Sequence, residues 1–365
     1  MKTKVLIIST VGLIYDGITS VITSYLQAMD LSDLDVYVIS TIKEEKGIVK
    51  KIEKLGCNIV KLPSRKTQTV SYFINLITFI KKNKIDIVHA HGNSGTLSIE
   101  MLAAWIGGCK KRIAHSHNTK CNQVMADKIL RPIFNILYTD AIACGDDAGR
   151  WLFRNNPFSV LSNGRDIELF SFDENIRQEK RTELNLKNEI AIGHVGGFFE
   201  QKNHRFLLEI FREILKEEPT AHFFLIGYGP LRAEIESSAE DLKDNLIFVG
   251  TTSNISDYLQ AMDGMLLPSL YEGLPLVAIE WQINGLPCVL SDKVTKECAF
   301  MDNCVFMSLA ESAEVWAKEI IALIKSNDRI QNSKRAASES KIRGFDIQDG
   351  ALKLKNIYCG FKEII

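Results

Sequence analysis

The sequence predicts an α/β protein built from two successive Rossmann-like domains, each a parallel sheet flanked by helices. Three observations lead there. The chain has 365 residues, enough for two domains of roughly 150 each. Short apolar runs alternate with longer amphipathic ones, which is the rhythm of βαβ units and a parallel sheet. A polar stretch at 171–190, "SFDENIRQEKRTELNLKNEI", interrupts that rhythm once before it restarts, and this marks it as the domain connection.

The elements follow in order. "KVLIIS" (4–9) reads as a buried strand; a loop holding Gly12 and Gly17 leads into the helical "ITSVITSYLQAM". "DVYVIS" is a second strand, "SYFINLITFIKKNK" a helix and "IDIVHA" a third strand. "LSIEMLAAWIG" is helical, "KRIAHSH" a strand, "DKILRPIFNILYT" a helix and "DAIACG" a strand. After the polar stretch come strand "IAIGHVG", helix "HRFLLEIFREILKE", strand "AHFFLIG", helix "LRAEIESSAE", strand "LIFVG" and helix "ISDYLQAM". Strand "GMLLPS", a helix within "YEGLPLVAIEWQINGLP" and strand "PCVLS" complete the set. This places one domain at 1–172 and a second at 173–344. Ligands of open α/β sheets bind at the carboxyl ends of the strands, so a cleft between two facing domains is the expected site.

Composition narrows the function. Hydrophobic residues make up 46%, too many for disorder. A net charge of −1 argues against a nucleic-acid binder that works by bulk electrostatics. The N-terminus "MKTKVLIIST" has an apolar run of five residues, too short for a signal peptide and far below the ~20 that span a bilayer. Eight cysteines are scattered with no Cys-x-x-Cys, as suits reduced thiols. The sequence reads as cytosolic.

In "YEGLPLVAIEWQINGLP" (271–287), Glu272 and Glu280 bracket mostly apolar residues. Pro275 suits the first position of a helix and Gly285 its end. The N-terminus of such a helix is an anion site, good for phosphate, and carboxylates beside it accept hydrogen bonds from sugar hydroxyls. Spacing alone leaves a second reading open: Glu272 caps the helix and Glu280 is a partly exposed side chain on its polar edge with Gln282 and Asn284.

"PSLYEGLPLVAIEWQINGLPCVLSD" resembles the donor-site signature of the retaining GT-B glycosyltransferases of family 4, whose Glu-x7-Glu pair is matched by Glu272 and Glu280. The resemblance runs through nearly the whole chain: "VLSNGRDIELF", "IGHVGGFFEQKNHRFLLEIF", "FFLIGYGPLRAEIE" and "IFVGTTSNISDYLQAMD" are similar to the segments that enter the second domain and receive the nucleotide. "SDKVTKECAF" is similar to a segment of the capsular and exopolysaccharide branch. The resemblance implies the GT-B fold, two Rossmann-like domains facing across a cleft. The first would bind the acceptor and the second the nucleotide-sugar, with the final segment 345–365 a helix that packs back on the first. It implies that Glu272 contacts the donor sugar, Glu280 the ribose hydroxyls, and the amides of Gly273 and Leu274 the diphosphate. Lys202 would clamp that diphosphate, Val249 would line the nucleotide pocket, and the loop with Asp16 and Gly17 would close over the phosphates. The family usually reads Gly-Arg after the first strand of the second domain; here the arginine position is Gly197. Loss of that cation costs on the order of 10- to 100-fold in rate unless another serves. Arg205 is a candidate substitute.

"HAH" (His89, His91) and "HSH" (His115, His117) each end a strand, and residues two apart on a strand face the same way. Four imidazoles are a metal site in principle, but no carboxylate or cysteine stands at helpful spacing. By resemblance, His117 approaches the reacting centre; for His89 and His115 a purely structural role stays open, and His194 reads as structural.

The implied reaction is retaining glycosyl transfer from a nucleotide-diphosphate sugar, UDP-linked by resemblance, to a hydroxyl of a glycan or polyprenyl-diphosphate-linked acceptor. No cofactor or metal is expected. "SYFINLITFIKKNK" and "KILRPIFNILY" combine apolar and basic residues as an interfacial helix would, or as ordinary helices packed on a sheet do, so peripheral membrane contact is one expectation. Two other functions stay open: a nucleotide-sugar-binding protein of little or no turnover, and a sugar-nucleotide epimerase.

Overall fold

The computed structural model describes residues 2–40, 44–252 and 254–360. The chain divides into two compact units, Met1–Gly164 with Gly344–Ile365, and Arg165–Arg343.

The first unit carries a seven-stranded sheet. Its strands are β1 (Thr3–Ser9), β2 (Leu34–Ser40), β3 (Asn58–Lys61), β4 (Ile87–His91), β5 (Lys111–Ser116), β6 (Asp140–Ala143) and β7 (Ser159–Val160). They lie in the order β3-β2-β1-β4-β5-β6-β7, every pair parallel. Helices cover both faces of such a sheet, so its inner strands read as continuous apolar runs. Val5, Leu6, Ile7 and Ile8 of β1 are accordingly all buried. The helix Ile347–Cys359 returns to this unit and packs on the helix Gly17–Ala28. Gly350 permits the approach: a Cβ there would stand 3.0 Å from the Tyr25 hydroxyl, which itself donates to the Ser162 carbonyl at 2.6 Å. Residues 361–365 of the expected last helix lie outside the described residues.

The second unit carries six parallel strands: β8 (Ala191–Val195), β9 (His222–Ile226), β10 (Leu246–Gly250), β11 (Gly264–Leu267), β12 (Cys288–Ser291) and β13 (Cys304–Met307). Their order is β10-β9-β8-β11-β12-β13. One apolar cluster gathers Phe211, Phe223 and Trp316, another Phe224, Met265 and Trp281. In both sheets the strand order reverses beside the first strand, between β1 and β4 and between β8 and β11. Those switch points are where open α/β sheets leave room for ligands.

The polar stretch 171–190 is not a linker. Residues Glu174–Glu183 form a helix capped by Asp173, whose carboxylate accepts from the amides of Asn175 and Ile176. Arg177 and Arg181 both bind Asp263, at 2.6 and 3.1 Å, and Asp263 also accepts from the Ala191 amide at the start of β8. The stretch looks like a linker because its buried contacts are ionic. The second unit begins earlier than the expected step at 172/173: the Phe170 carbonyl accepts from Asn284, and the Phe172 amide donates to Ser333.

Candidate functional site

The switch point of the second sheet brings two loops together. One follows β8 and holds Gly196, Gly197 and Lys202; the other follows β11 and holds Ser269, Glu272, Gly273 and Leu274. Backbone and side-chain bonds stitch them. The Leu270 amide donates to the Gln201 carbonyl at 2.8 Å, and Asn203 Nδ2 donates to the Pro268 carbonyl at 3.2 Å. Lys202 Nζ stands 2.6 Å from Glu272 Oε1. Ser269 Oγ donates to the same oxygen at 2.9 Å, and Gln201 Nε2 donates to Glu272 Oε2 at 3.0 Å. Three donors, two of them neutral, thus hold the Glu272 side chain on a loop that is itself tied down.

Gly273 and Leu274 directly precede Pro275, the N-cap of the helix Leu276–Ile283. Pro275 is the cap residue rather than the first helical one. The first amides of a helix have no intrahelical partner and carry the positive end of its dipole. A cation on Lys202, a carboxylate on Glu272 and a helix N-terminus therefore share one short stretch of surface, which suits an anion bearing hydroxyl groups.

Gly197 puts no side chain at the position where the resembled family usually carries an arginine. A Cβ there would meet the Phe199 ring edge at 2.7 Å, so an aromatic side chain covers the position. Arg205 does not substitute, since it is half exposed and binds Glu200 at 2.9 Å and Glu234 at 3.0 Å. The stem of Lys202 lies over Gly196, where a Cβ would come within 3.1 Å of its Cδ and Cε. That glycine is what lets the lysine cross the loop.

The helix Leu276–Ile283 does not present the polar edge that the second reading expected. Glu280, Gln282 and Asn284 are all buried, so there is no exposed polar edge. Gln282 Oε1 accepts from the Phe300 and Met301 amides, and its Nε2 donates to the Ala278 and Cys298 carbonyls. Asn284 binds the Phe170 carbonyl and Arg329. Glu280 instead meets Arg165 Nε at 2.8 Å. Burial pushes its carboxyl above the usual range, and the Arg165 guanidinium opposes that shift. Sequence reading missed Arg165 as it missed Gln201 and Ser269. Arg165 and Glu280 are far apart in the chain, and no spacing rule joins them.

Val249 lies near the end of β10, half-buried against the cluster of Phe224 and Trp281. In the first unit, Gly17 opens its helix and is exposed, while Asp16 caps it by accepting from the Thr19 amide at 2.8 Å. Burial raises the Asp16 carboxyl pKa.

The four strand-end histidines form one stack. The β4–β5 register sets His91 beside His115. His91 Nδ1 and His117 Nε2 are 2.8 Å apart, His89 Nε2 and His115 Nδ1 3.1 Å, and His89 Nδ1 meets the Tyr358 hydroxyl at 2.7 Å. Burial holds all four below the usual imidazole range, His89 and His117 at about 3. Ring nitrogens of His89, His91 and His115 lie within 4.8 Å of one another, close enough for a shared ion. Of these nitrogens His89 Nε2 and His115 Nδ1 bond each other, His89 Nδ1 bonds Tyr358 and His91 Nδ1 bonds His117, while His115 Nε2 is buried without a hydrogen-bond partner; the rings are stacked or tilted at centroid spacings of 4.2 to 5.3 Å.

The comparisons with known proteins agree from both halves. Residues 189–326 match the family model Glycosyl transferases group 1, and residues 4–143 match Glycosyl transferase 4-like. The chain is 31% identical to the putative glycosyltransferase EpsF of Bacillus subtilis (strain 168), over 95% of this chain and 94% of that one. It is 28% identical to an Escherichia coli UDP-Gal:alpha-D-GlcNAc-diphosphoundecaprenol alpha-1,3-galactosyltransferase over 78% of each. Among solved structures, Anabaena Alr3699/HepE in complex with UDP superposes with a TM-score of 0.80 at 15% identity, covering 98% of this chain and 100% of that one.

Proposed function

The chain belongs to the group 1, family 4 glycosyltransferases and has their GT-B fold, and from that membership we propose that it moves a sugar from a UDP-sugar to a hydroxyl of a lipid-linked glycan, with retention at the anomeric carbon, in surface-polysaccharide assembly. The observation that carries the reading is the 2.6 Å pair of Lys202 and Glu272 at the β8/β11 switch point, beside the N-terminus of the helix Leu276–Ile283. In this reading the amides of Gly273 and Leu274 and the Lys202 ammonium receive the diphosphate. Glu272 and Glu280 accept from sugar and ribose hydroxyls, Val249 borders the base, and Gly17 lets the first loop approach phosphate. UDP in the Anabaena relative and the diphosphoundecaprenol-linked acceptor named for the Escherichia coli relative support the choice of donor and acceptor.

The chemistry asked of these residues is positioning and electrostatics. As the bond to the anomeric carbon breaks, charge grows on the departing phosphate, and Lys202 with the helix end stabilises it. The leaving phosphate takes the acceptor's proton, so no side chain is needed as nucleophile, and no metal. His117, neutral at physiological pH, serves the reacting centre as a hydrogen-bonding group rather than as a cation.

Membrane contact fits the surface of the first unit. Met125, Ile129, Ile133 and Ile136 are exposed along one helix with Lys128 among them, and Val70 and Ile74 are exposed on another that ends in Lys81 and Lys82. Among the described residues no helix is long and apolar enough to cross a membrane, so the helices would lie on the anionic lipid surface. Ile129→Glu with Ile133→Glu then abolishes co-sedimentation with anionic vesicles; wild-type protein that stays in the supernatant at low salt sinks this part.

Incubation with radiolabelled UDP-sugars and a polyprenyl-diphosphate-linked acceptor tests the whole reading, with product anomeric configuration read by NMR. Labelled acceptor of retained configuration is expected. Donor binding with neither transfer nor hydrolysis would favour a non-catalytic sugar-nucleotide binder, the reading that Gly197 supports, and epimerised donor without acceptor would reveal an epimerase.

A further inference from the structure

We infer that Arg165 is a positioning residue of the donor site: its planar guanidinium holds the Glu280 carboxylate in the orientation that accepts from a ribose diol, and the pair together selects ribonucleotide donors over 2′-deoxyribonucleotide ones. The inference rests on the reading of Glu280 as the ribose acceptor.

Three features of the pair support it. Arg165 Nε lies 2.8 Å from Glu280 Oε1, and the arginine side chain is 3% exposed while the carboxylate keeps 10% of its surface open. The arginine is therefore the more deeply buried of the two, and the acid keeps a small accessible surface. Glu280 also differs from its polar neighbours on the same helix. Gln282 spends both ends on backbone groups of 278 and 298–301, and Asn284 binds Phe170 and Arg329. Those two side chains hold the fold together, whereas Glu280 meets the Arg165 guanidinium and keeps a small accessible surface.

The chemistry explains why an arginine is wanted. Two vicinal hydroxyls donate well to an ionised carboxylate and poorly to a neutral acid. A carboxylate buried beside Ile279, Trp281 and Ile283 pays heavily for its charge unless a cation is in contact. Burial indeed raises the Glu280 pKa, with Arg165 opposing. The guanidinium supplies the charge through one close contact, Nε to Oε1 at 2.8 Å, and its planar, fixed shape restricts the acid in a way that a freely turning ammonium does not. A lysine would supply charge without that restriction.

The test measures Kd for UDP and 2′-deoxy-UDP, with ADP and 2′-deoxy-ADP beside them, by calorimetry on the full chain. Wild type, Arg165→Gln, Arg165→Lys, Glu280→Gln and the surface ion-pair control Arg212→Gln are compared, each checked for folding by circular dichroism. Wild type is expected to prefer the ribose form by at least about tenfold. Arg165→Gln should bring the two forms within about threefold and raise donor KM with little change in kcat. Arg165→Lys should keep an intermediate preference, and Arg212→Gln the full one. A folded Arg165→Gln, or Arg165→Lys where the glutamine variant does not fold, that retains the full wild-type preference overturns the inference while leaving the reading of Glu280 intact. No preference in wild type, no binding of any of these nucleotides, or a full preference in Glu280→Gln overturns the reading itself and the inference with it.

Discussion

Replacing Lys202 by methionine removes one charge and keeps most of the stem that crosses Gly196. The fold should survive, because Ser269 and Gln201 still donate to Glu272 and the loops remain joined through Leu270 and Asn203. The catalytic loss follows from how few cations serve the site. Gly197 brings no side chain, and Arg205 is engaged with Glu200 and Glu234. On the proposed function Lys202 therefore carries the charge stabilisation that the resemblance assigns to two residues. A hydrogen bond to a charged group contributes about 1.5–3 kcal/mol. At about 1.4 kcal/mol per decade of rate, the loss is roughly 10- to 100-fold. It should appear in kcat and kcat/KM together with KM little changed, because the charge on the leaving phosphate develops in the transition state. Steady-state release of UDP from the donor, with the melting point measured alongside, decides it. A folded Lys202→Met enzyme whose kcat stays within about twofold of wild type would refute the reasoning.

Three further outcomes are expected. Gly197→Arg adds a second cation; the new Cβ meets the half-exposed Phe199 ring at 2.7 Å and the Tyr228 carbonyl at 3.3 Å, which a turn of the ring and a small shift relieve, so the variant should fold and gain up to about tenfold in kcat, and an unchanged or lower rate in the folded variant would count against a cation-poor site. The histidine stack makes the fold acid-sensitive. His89 and His117 have folded pKa values of about 3 against roughly 6.5 unfolded, so the unfolded chain takes up protons first, and stability present above pH 6.5 is lost as pH falls toward 3. At pH 5.5 each of the two should cost on the order of 1 kcal/mol relative to pH 7.5, seen as a lower urea midpoint that His89→Gln partly corrects; a pH-independent midpoint would contradict it. Asp263→Ala strips the partner from Arg177 and Arg181 and should destabilise by about 3–5 kcal/mol, measured by denaturant unfolding, and a cost under about 1 kcal/mol would show the arginines well solvated.

Much of this architecture is legible in the chain because its inner strands are short apolar runs set off by loops, and buried parallel strands must be. The loops that hold Lys202 and Glu272 follow β8 and β11, the strands that the sequence rhythm already picks out. What the rhythm hides has physical reasons. β3 reads "NIVK" with its ends exposed, and β7 is only two residues long, so neither carries an apolar run. The helix Glu174–Glu183 is held by ion pairs to Asp263 rather than by an apolar face, and its composition resembles a linker's. The Arg165–Glu280 pair and the His91–His117 contact depend on which segments the topology sets side by side. Two imidazoles two residues apart can be read as facing the same way, but only the β4–β5 register shows that the two pairs stack into one network.

The most direct test is a crystal structure of the protein with UDP. The account predicts the diphosphate at the N-terminus of the helix Leu276–Ile283, within hydrogen-bonding distance of the Gly273 and Leu274 amides and of Lys202 Nζ, with the ribose hydroxyls on Glu280. A nucleotide bound elsewhere, or one whose phosphates lie away from Lys202 and that helix end, would contradict it.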